Sequence, residues 1–177
     1  MTIVVFGVSG CGKTTFARRL AEEVGGLFLD GDDFHSAASI AKMRGGAGLD
    51  ETDRGPWLRE LNAVIRERAD TTVIACSALA RSYRDVLRTD AAVAFIHLVV
   101  TEELVRERLA GRRDHFFPPS LVRSQFEALE PLEPDEAGIS LDGAAPLAEL
   151  LSQARFYLDT HTGHWMADAA SDLGSDP

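Results

Sequence analysis

Residues 7–14 read Gly7-Val8-Ser9-Gly10-Cys11-Gly12-Lys13-Thr14, and no other stretch narrows the possible folds so far. The spacing fits G-x-x-x-x-G-K-[ST], a loop whose inward-turned backbone N–H groups cradle phosphate. Such a loop must leave a strand and open a helix. The β-branched apolar run Ile3-Val4-Val5-Phe6 precedes it, and Phe16, Ala17, Leu20, Ala21 and Val24 follow at helical spacing. The glycines allow the backbone to approach an anion, and the helix N-terminus adds the positive end of its dipole. Lys13 is expected to reach the β- and γ-phosphates, and the Thr14 hydroxyl to ligate Mg²⁺.

The remainder of the chain alternates in the same way. Strands are expected near 3–6, 27–30, 71–76, 93–99 and 138–141, and helices near 13–24, 36–44, 52–69, 80–88, 101–111, 120–129 and 146–158. Alternation implies a parallel sheet covered on both faces, with ligands at the carboxyl ends of its strands. The 177 residues suit one domain, expected over 1–158 with a mobile tail over 159–177. His161, His164 and Asp168 raise the possibility of a metal there, which the lack of further ligands argues against. A formal net charge of −10 argues against nucleic acid or an anionic membrane surface as partner. No apolar run reaches membrane-spanning length, and a core strand at the N-terminus leaves no room for a signal peptide. Cys11 and Cys76 form no disulfide framework, which suits the reducing cytoplasm; both follow predicted strands and are read as small packing residues that can lie near each other.

The residues after each strand carry the chemistry. Asp30-Gly31-Asp32-Asp33-Phe34-His35 closes the second strand. Acidic turn residues can simply cap the next helix. Beside a phosphate loop they can also orient Mg²⁺ or accept a proton from a substrate hydroxyl. Asp50 or Thr52 is a candidate cap for the helix carrying Leu58, Leu61 and Ile65. Arg54 lies in its first turn, where the dipole disfavours a cation; either an anionic ligand or a salt bridge to Asp50 or Asp53 accounts for it. The third strand ends Cys76-Ser77-Ala78-Leu79, without the Asp of a Walker B strand. Arg81 and Arg84 share a helix face, whether for a ligand or for solvent. Arg106, Arg108, Arg112 and Arg113 run into Asp114-His115-Phe116-Phe117-Pro118-Pro119. Arginines at a helix C-terminus satisfy the dipole, yet a cluster closed by aromatics and prolines is read as a phosphate-clamping lid over about 110–119. His115 can equally be packing. The late Asp135-Glu136-Ala137-Gly138 and the absence of N/T-K-x-D exclude a GTPase.

Over about residues 3–158 the chain resembles the gluconokinases of the P-loop, nucleoside-monophosphate-kinase-like and shikimate-kinase-like fold. The likeness lies in Gly7–Thr14, Phe28-Leu29-Asp30-Gly31-Asp32 with His35, Lys42-Met43, and Asp53-Arg54 with Pro56-Trp57-Leu58. It continues in Cys76-Ser77-Ala78-Leu79, Tyr83-Arg84-Asp85, His115-Phe116-Phe117 and Gln125-Phe126-Glu127-Ala128-Leu129-Glu130. It departs at Cys11, where a small Ser is usual, and at Ala80 and Arg81, where Lys is common. The resemblance implies a five-stranded α/β sheet of order 2-3-1-4-5 with a small lid. It implies ATP- and Mg²⁺-dependent phosphorylation of D-gluconate to 6-phospho-D-gluconate, feeding the pentose phosphate pathway, by a cytoplasmic homodimer. Nucleotide contacts are expected from Gly7, Ser9, Gly10, Cys11, Gly12, Lys13, Thr14, Thr15 and Arg108, and metal contacts from Thr14 and Asp30. Asp32, His35, Arg54, Ser77, Arg84, His115 and Gln125 are expected on the substrate, with Lys13, Asp32, Arg112 and Arg113 catalytic. The alternatives are another small-molecule kinase acting on shikimate or a nucleotide, and a non-catalytic nucleotide-binding regulator.

Overall fold

The computed structural model describes residues 1–110 and 119–172, with the backbone alone for 119–120 and 162–172. Arg112, Arg113, His115 and nearly all of the predicted lid lie outside the described residues.

Five parallel strands form one sheet: β1 (Thr2–Phe6), β2 (Leu27–Asp30), β3 (Thr72–Ala75), β4 (Val93–Val99) and β5 (Gly138–Asp142). Their order is β2-β3-β1-β4-β5, as expected. In register, Val4 lies between Ile74 of β3 and Phe95 of β4. The helices are α1 (Lys13–Glu23), α2 (Ala37–Arg44), α3 (Glu51–Glu67), α4 (Arg81–Leu87), α5 (Glu102–Ala110), α6 (Pro119–Ala128) and α7 (Leu147–Asp172).

Side-chain alternation along β1 divides the core in two. Ile3 and Val5 face Phe16, Leu20, Val105, Leu150 and Leu158. Val4 and Phe6 face Trp57, Leu61, Ile65 and Leu87. Each such large side chain contributes about 1.5–3 kcal/mol by leaving water. Cys11 belongs to the first cluster and Cys76 to the second, so the sheet separates the two thiols. Burial pushes the Cys76 thiol up to about 12, which leaves it inert.

Two boundaries differ from the sequence reading. Gly31–Phe34 is a short 3-10 turn directly after β2, because the Asp30 carboxylate accepts from the Asp32 N–H and tightens the chain there. The last helix does not stop near 158 but runs to Asp172. There the Thr160 hydroxyl donates back to the Phe156 carbonyl, and His161 stacks on Tyr157 at 4.4 Å. Polarity rises after Asp159, but no proline interrupts the helix.

Candidate active site

The phosphate loop connects β1 to α1. Its glycines are required at two points. Gly7 has φ 142°, and a Cβ there would lie 3.0 Å from the Leu98 carbonyl and 3.1 Å from Cys11 Sγ. Gly12 caps α1 in the left-handed region at φ 106°, with nothing within 4 Å of where a Cβ would be. Helix α1 starts without a side-chain cap and without an acidic residue in its first turn. Its leading N–H groups and dipole are therefore left for an anion. Lys13 folds over the loop, its Nζ donating to the Val8 carbonyl at 3.0 Å. Thr15, next along α1, is exposed.

Strand β2 delivers the carboxylates. It pairs with β3, so the Asp30–Asp33 cluster ends a strand one removed from the phosphate-loop strand rather than beside it. Asp30 still meets the loop: the Thr14 hydroxyl donates to its Oδ2 at 3.4 Å. Burial raises the Asp30 carboxyl above its ordinary value, and the Asp32 and Asp33 charges add to this against the opposing Asp32 N–H and Thr14 hydroxyl. A divalent cation would relieve that strain. A hydroxyl and one carboxylate are a typical protein share of an Mg²⁺ shell that is otherwise water and phosphate. Thr14 and Asp30 therefore fit the ion expected from the loop.

Asp32 projects into solvent with its side chain 74% exposed, and its Oδ1 lies 3.8 Å from His35 Nε2. His35 is buried and stacked on Trp57 at 4.2 Å, while the indole N–H donates to the Gly31 carbonyl at 2.7 Å. Trp57 thus fixes both the turn that carries Asp32 and the ring that faces it. Burial lowers the His35 pKa; Asp32 opposes this and the Arg54 charge adds to it. His35 thus faces Asp32 while its stacking on Trp57 ties it to α3, the helix that carries Arg54.

Arg54 is 30% exposed. Its salt bridges to Asp50 and Asp53, expected as an alternative to a ligand, do not form. Lys42 takes both carboxylates, and Asp50 and Asp53 close a capping box at the start of α3. Arg54 Nη1 instead pairs with Glu51 at 3.4 Å and donates to the Tyr83 hydroxyl at 3.2 Å.

Arg84 is not a substrate ligand. Its side chain is completely buried and paired with Glu136 on the adjoining loop. It also donates to the carbonyls of Ala78, Leu79, Glu130 and Pro131. All five guanidinium N–H groups are committed, so none is left for a ligand. Burial alone would raise the Glu136 carboxyl, but the Arg84 hydrogen bonds and the Glu133 N–H outweigh it and hold it below its ordinary value. Arg81 likewise pairs with Asp135 rather than facing solvent alone. Arg81 and Arg84 together pin the 130–137 loop onto α4.

Three other expected residues gather at the phosphate loop. Arg108 donates to the Cys11 carbonyl at 3.0 Å and to the Gly143 carbonyl at 2.8 Å, which ties α5 to the loop and to the end of β5. Gln125 contacts Ser9 through both ends of its amide. The Ser77 carbonyl accepts from the Gly7 N–H at 3.3 Å. Sequence reasoning missed Glu51, Tyr83 and Glu136 as individual contributors. Tyr83 was visible only within a longer motif, and Glu136 resembled any acidic loop residue. Among the described residues no cluster of three or more His, Cys, Asp or Glu is placed to bind a metal. His161 Nδ1 lies within hydrogen-bond distance of the Thr160 hydroxyl and the Tyr157 carbonyl.

This arrangement has counterparts. A sequence-family profile described as an AAA domain matches residues 2–132. The thermosensitive gluconokinase of Escherichia coli K12 is 38% identical, over 87% of this chain and 85% of its own. The chain belongs to the gluconokinase family. A solved gluconokinase from Sinorhizobium meliloti superposes with TM-score 0.84 at 36% identity, over 98% of this chain and 97% of that one. A sugar kinase from Janibacter sp. HTCC2649 is 47% identical with TM-score 0.85, over 89% and 94%. Membership of the gluconokinase family agrees with the five-stranded order and the phosphate loop. No helix among the described residues is long and apolar enough to cross a membrane.

Proposed function

We propose that this protein transfers the γ-phosphoryl group of ATP to the primary hydroxyl of D-gluconate, giving 6-phospho-D-gluconate and ADP. The observation that carries the reading is the meeting of the Lys13–Thr14 end of the phosphate loop with the Asp30–His35 turn. The loop N–H groups and Lys13 hold the β- and γ-phosphates. Thr14 and Asp30 would hold Mg²⁺, which would supply positive charge to the phosphates. Asp32 orients the acceptor hydroxyl and takes its proton as the oxygen forms its bond to the γ-phosphorus and the bond to the bridging oxygen of ADP breaks. His35 and Arg54 bind the hydroxyl-bearing chain and the carboxylate of the substrate. Arg108 belongs with the nucleotide, and Arg112 and Arg113 stabilise charge on the transferring group. His115 is assigned to substrate binding. The resemblance to the family further supports a cytoplasmic homodimer, for which light scattering is the direct check.

A coupled assay of ADP release against gluconate, shikimate and nucleoside monophosphates tests the reading. Gluconate should be strongly preferred, and Lys13→Ala should abolish turnover at saturating Mg-ATP without unfolding the protein. Preference for shikimate or a nucleotide would overturn it.

A further inference from the structure

Among the ionisable residues of α3's first turn, the cation and one carboxylate are placed differently from the rest. Asp50 and Asp53 are locked into the capping box and onto Lys42. Glu51 is not: 74% exposed, it contacts Arg54 three residues on along α3 and Tyr83 of α4. Its Oε1 accepts from the Tyr83 hydroxyl at 2.5 Å and lies 3.4 Å from Arg54 Nη1. Arg54 Nη1 in turn donates to the same Tyr83 hydroxyl at 3.2 Å, and its guanidinium stands 5.4 Å from the Tyr83 ring centre. One carboxylate oxygen is thus bound by a phenol and a guanidinium, two donors that recognise carboxylates well.

We infer that Arg54 and Tyr83 form the seat for the substrate's carboxylate, and that Glu51 is an internal competitor for that seat. The inference rests on the gluconokinase reading. Its geometry agrees with that reading, because Trp57, one turn after Arg54 on α3, stacks on His35, which faces Asp32. A sugar acid carries its carboxylate and its primary hydroxyl at opposite ends of the chain. Carboxylate on Arg54 and Tyr83 would direct the other end past His35 toward Asp32. A sugar-acid carboxylate displaces Glu51 like for like. A neutral polyol offers nothing in exchange for the Glu51 contacts and leaves Glu51 in place. The pair is therefore a specificity device: it rewards an anionic end and penalises an uncharged one. Tyr83 acts twice, through its hydroxyl and by holding the guanidinium plane with its ring.

The test measures KM for gluconate, for the neutral polyol D-glucitol and for ATP in three proteins: wild type, Glu51→Gln, and Glu51→Gln combined with Tyr83→Phe. Removing the competitor's charge should lower KM for gluconate by about threefold or more. Adding Tyr83→Phe should then raise it about tenfold, since the lost hydroxyl is read without the competitor. KM for ATP should stay within about twofold in all three, and KM for glucitol should move little in Glu51→Gln. A purely structural role at the start of α3 would shift the melting temperature and leave KM for gluconate alone. If Glu51→Gln leaves that KM unchanged or raises it while the wild type turns over gluconate, this inference alone is overturned. If the wild type does not phosphorylate gluconate, the functional reading is overturned and this inference with it.

Discussion

The side-chain amide of Gln125, on α6, is bonded twice to Ser9 in the phosphate loop. Ser9 N–H donates to Oε1 at 2.6 Å, and Nε2 donates to Ser9 Oγ at 3.1 Å. Sequence reasoning places Gln125 on the substrate, whereas the amide oxygen holds a backbone N–H that a phosphate oxygen would also claim. Gln125→Ala should therefore tighten binding of a non-hydrolysable ATP analogue by a few-fold, the net worth of roughly one hydrogen bond of about 1 kcal/mol. Calorimetry reads this directly. Weaker binding would mean that Gln125 completes the nucleotide site instead of competing for it.

Asp30 and Asp32 are separated by one residue but should fail differently. Asp30 touches Thr14, and Asp32 faces His35. Asp30→Asn should shift the Mg²⁺ dependence of turnover to higher concentration. Asp32→Asn should leave ATP binding intact and lower kcat by about a hundredfold, the common worth of positioning with proton transfer. Near-normal turnover in Asp32→Asn with collapse in Asp33→Asn would move the hydroxyl-facing role to Asp33.

The frame of the fold was legible in the sequence because it rests on short-range pattern. The loop spacing, the apolar runs of β1, β3 and β4, and the alternation of strands and helices all lie within local windows. The last helix outruns its expected end because rising polarity after Asp159 resembles a terminus, although a helix can continue with its polar residues in water. Arg84 differs from expectation for another reason. A guanidinium in a motif beside a cleft reads as a ligand, and only the fold shows that Glu136, 52 residues away, lies against it. Arg54 admits both readings from sequence, and its ion pair goes to Glu51 because Lys42 reaches Asp50 and Asp53 from α2. Long-range polar pairing is the part that local pattern does not encode.

Because Arg84 and Glu136 are buried together, Arg84→Ala strands an uncompensated carboxylate. It should destabilise the protein by about 3–5 kcal/mol in urea unfolding and loosen the 130–137 loop in hydrogen exchange. Replacing both partners by apolar residues of similar volume should restore much of that stability. In the double variant, KM for gluconate should change less than stability does in the single one. A large rise in KM with unchanged unfolding would return Arg84 to the substrate site.

His97 supplies a pH dependence of the fold itself. It sits on β4 beneath the phosphate loop, buried and stacked on Phe6 at 4.6 Å, with neither ring nitrogen hydrogen-bonded among the described residues. The far face of Phe6 is near Arg84, whose charge lies 4.8 Å from the ring centre. Burial first, and then the Arg84 charge, push the His97 pKa down to about 4 from an ordinary 6.5. Between those values the unfolded chain binds a proton that the folded chain refuses. Stability is therefore full at neutral pH and is lost as pH falls from about 6.5 toward 4, by at most roughly 3 kcal/mol from this residue. His97→Phe keeps a ring on Phe6 and removes the proton. Its melting temperature should fall less steeply than wild type between about pH 6.5 and 4.5, and should be higher at neutral pH because two unsatisfied polar atoms leave the core. Parallel melting curves for the two proteins across that range would show that the acid sensitivity arises elsewhere, with His35 as the next imidazole to replace.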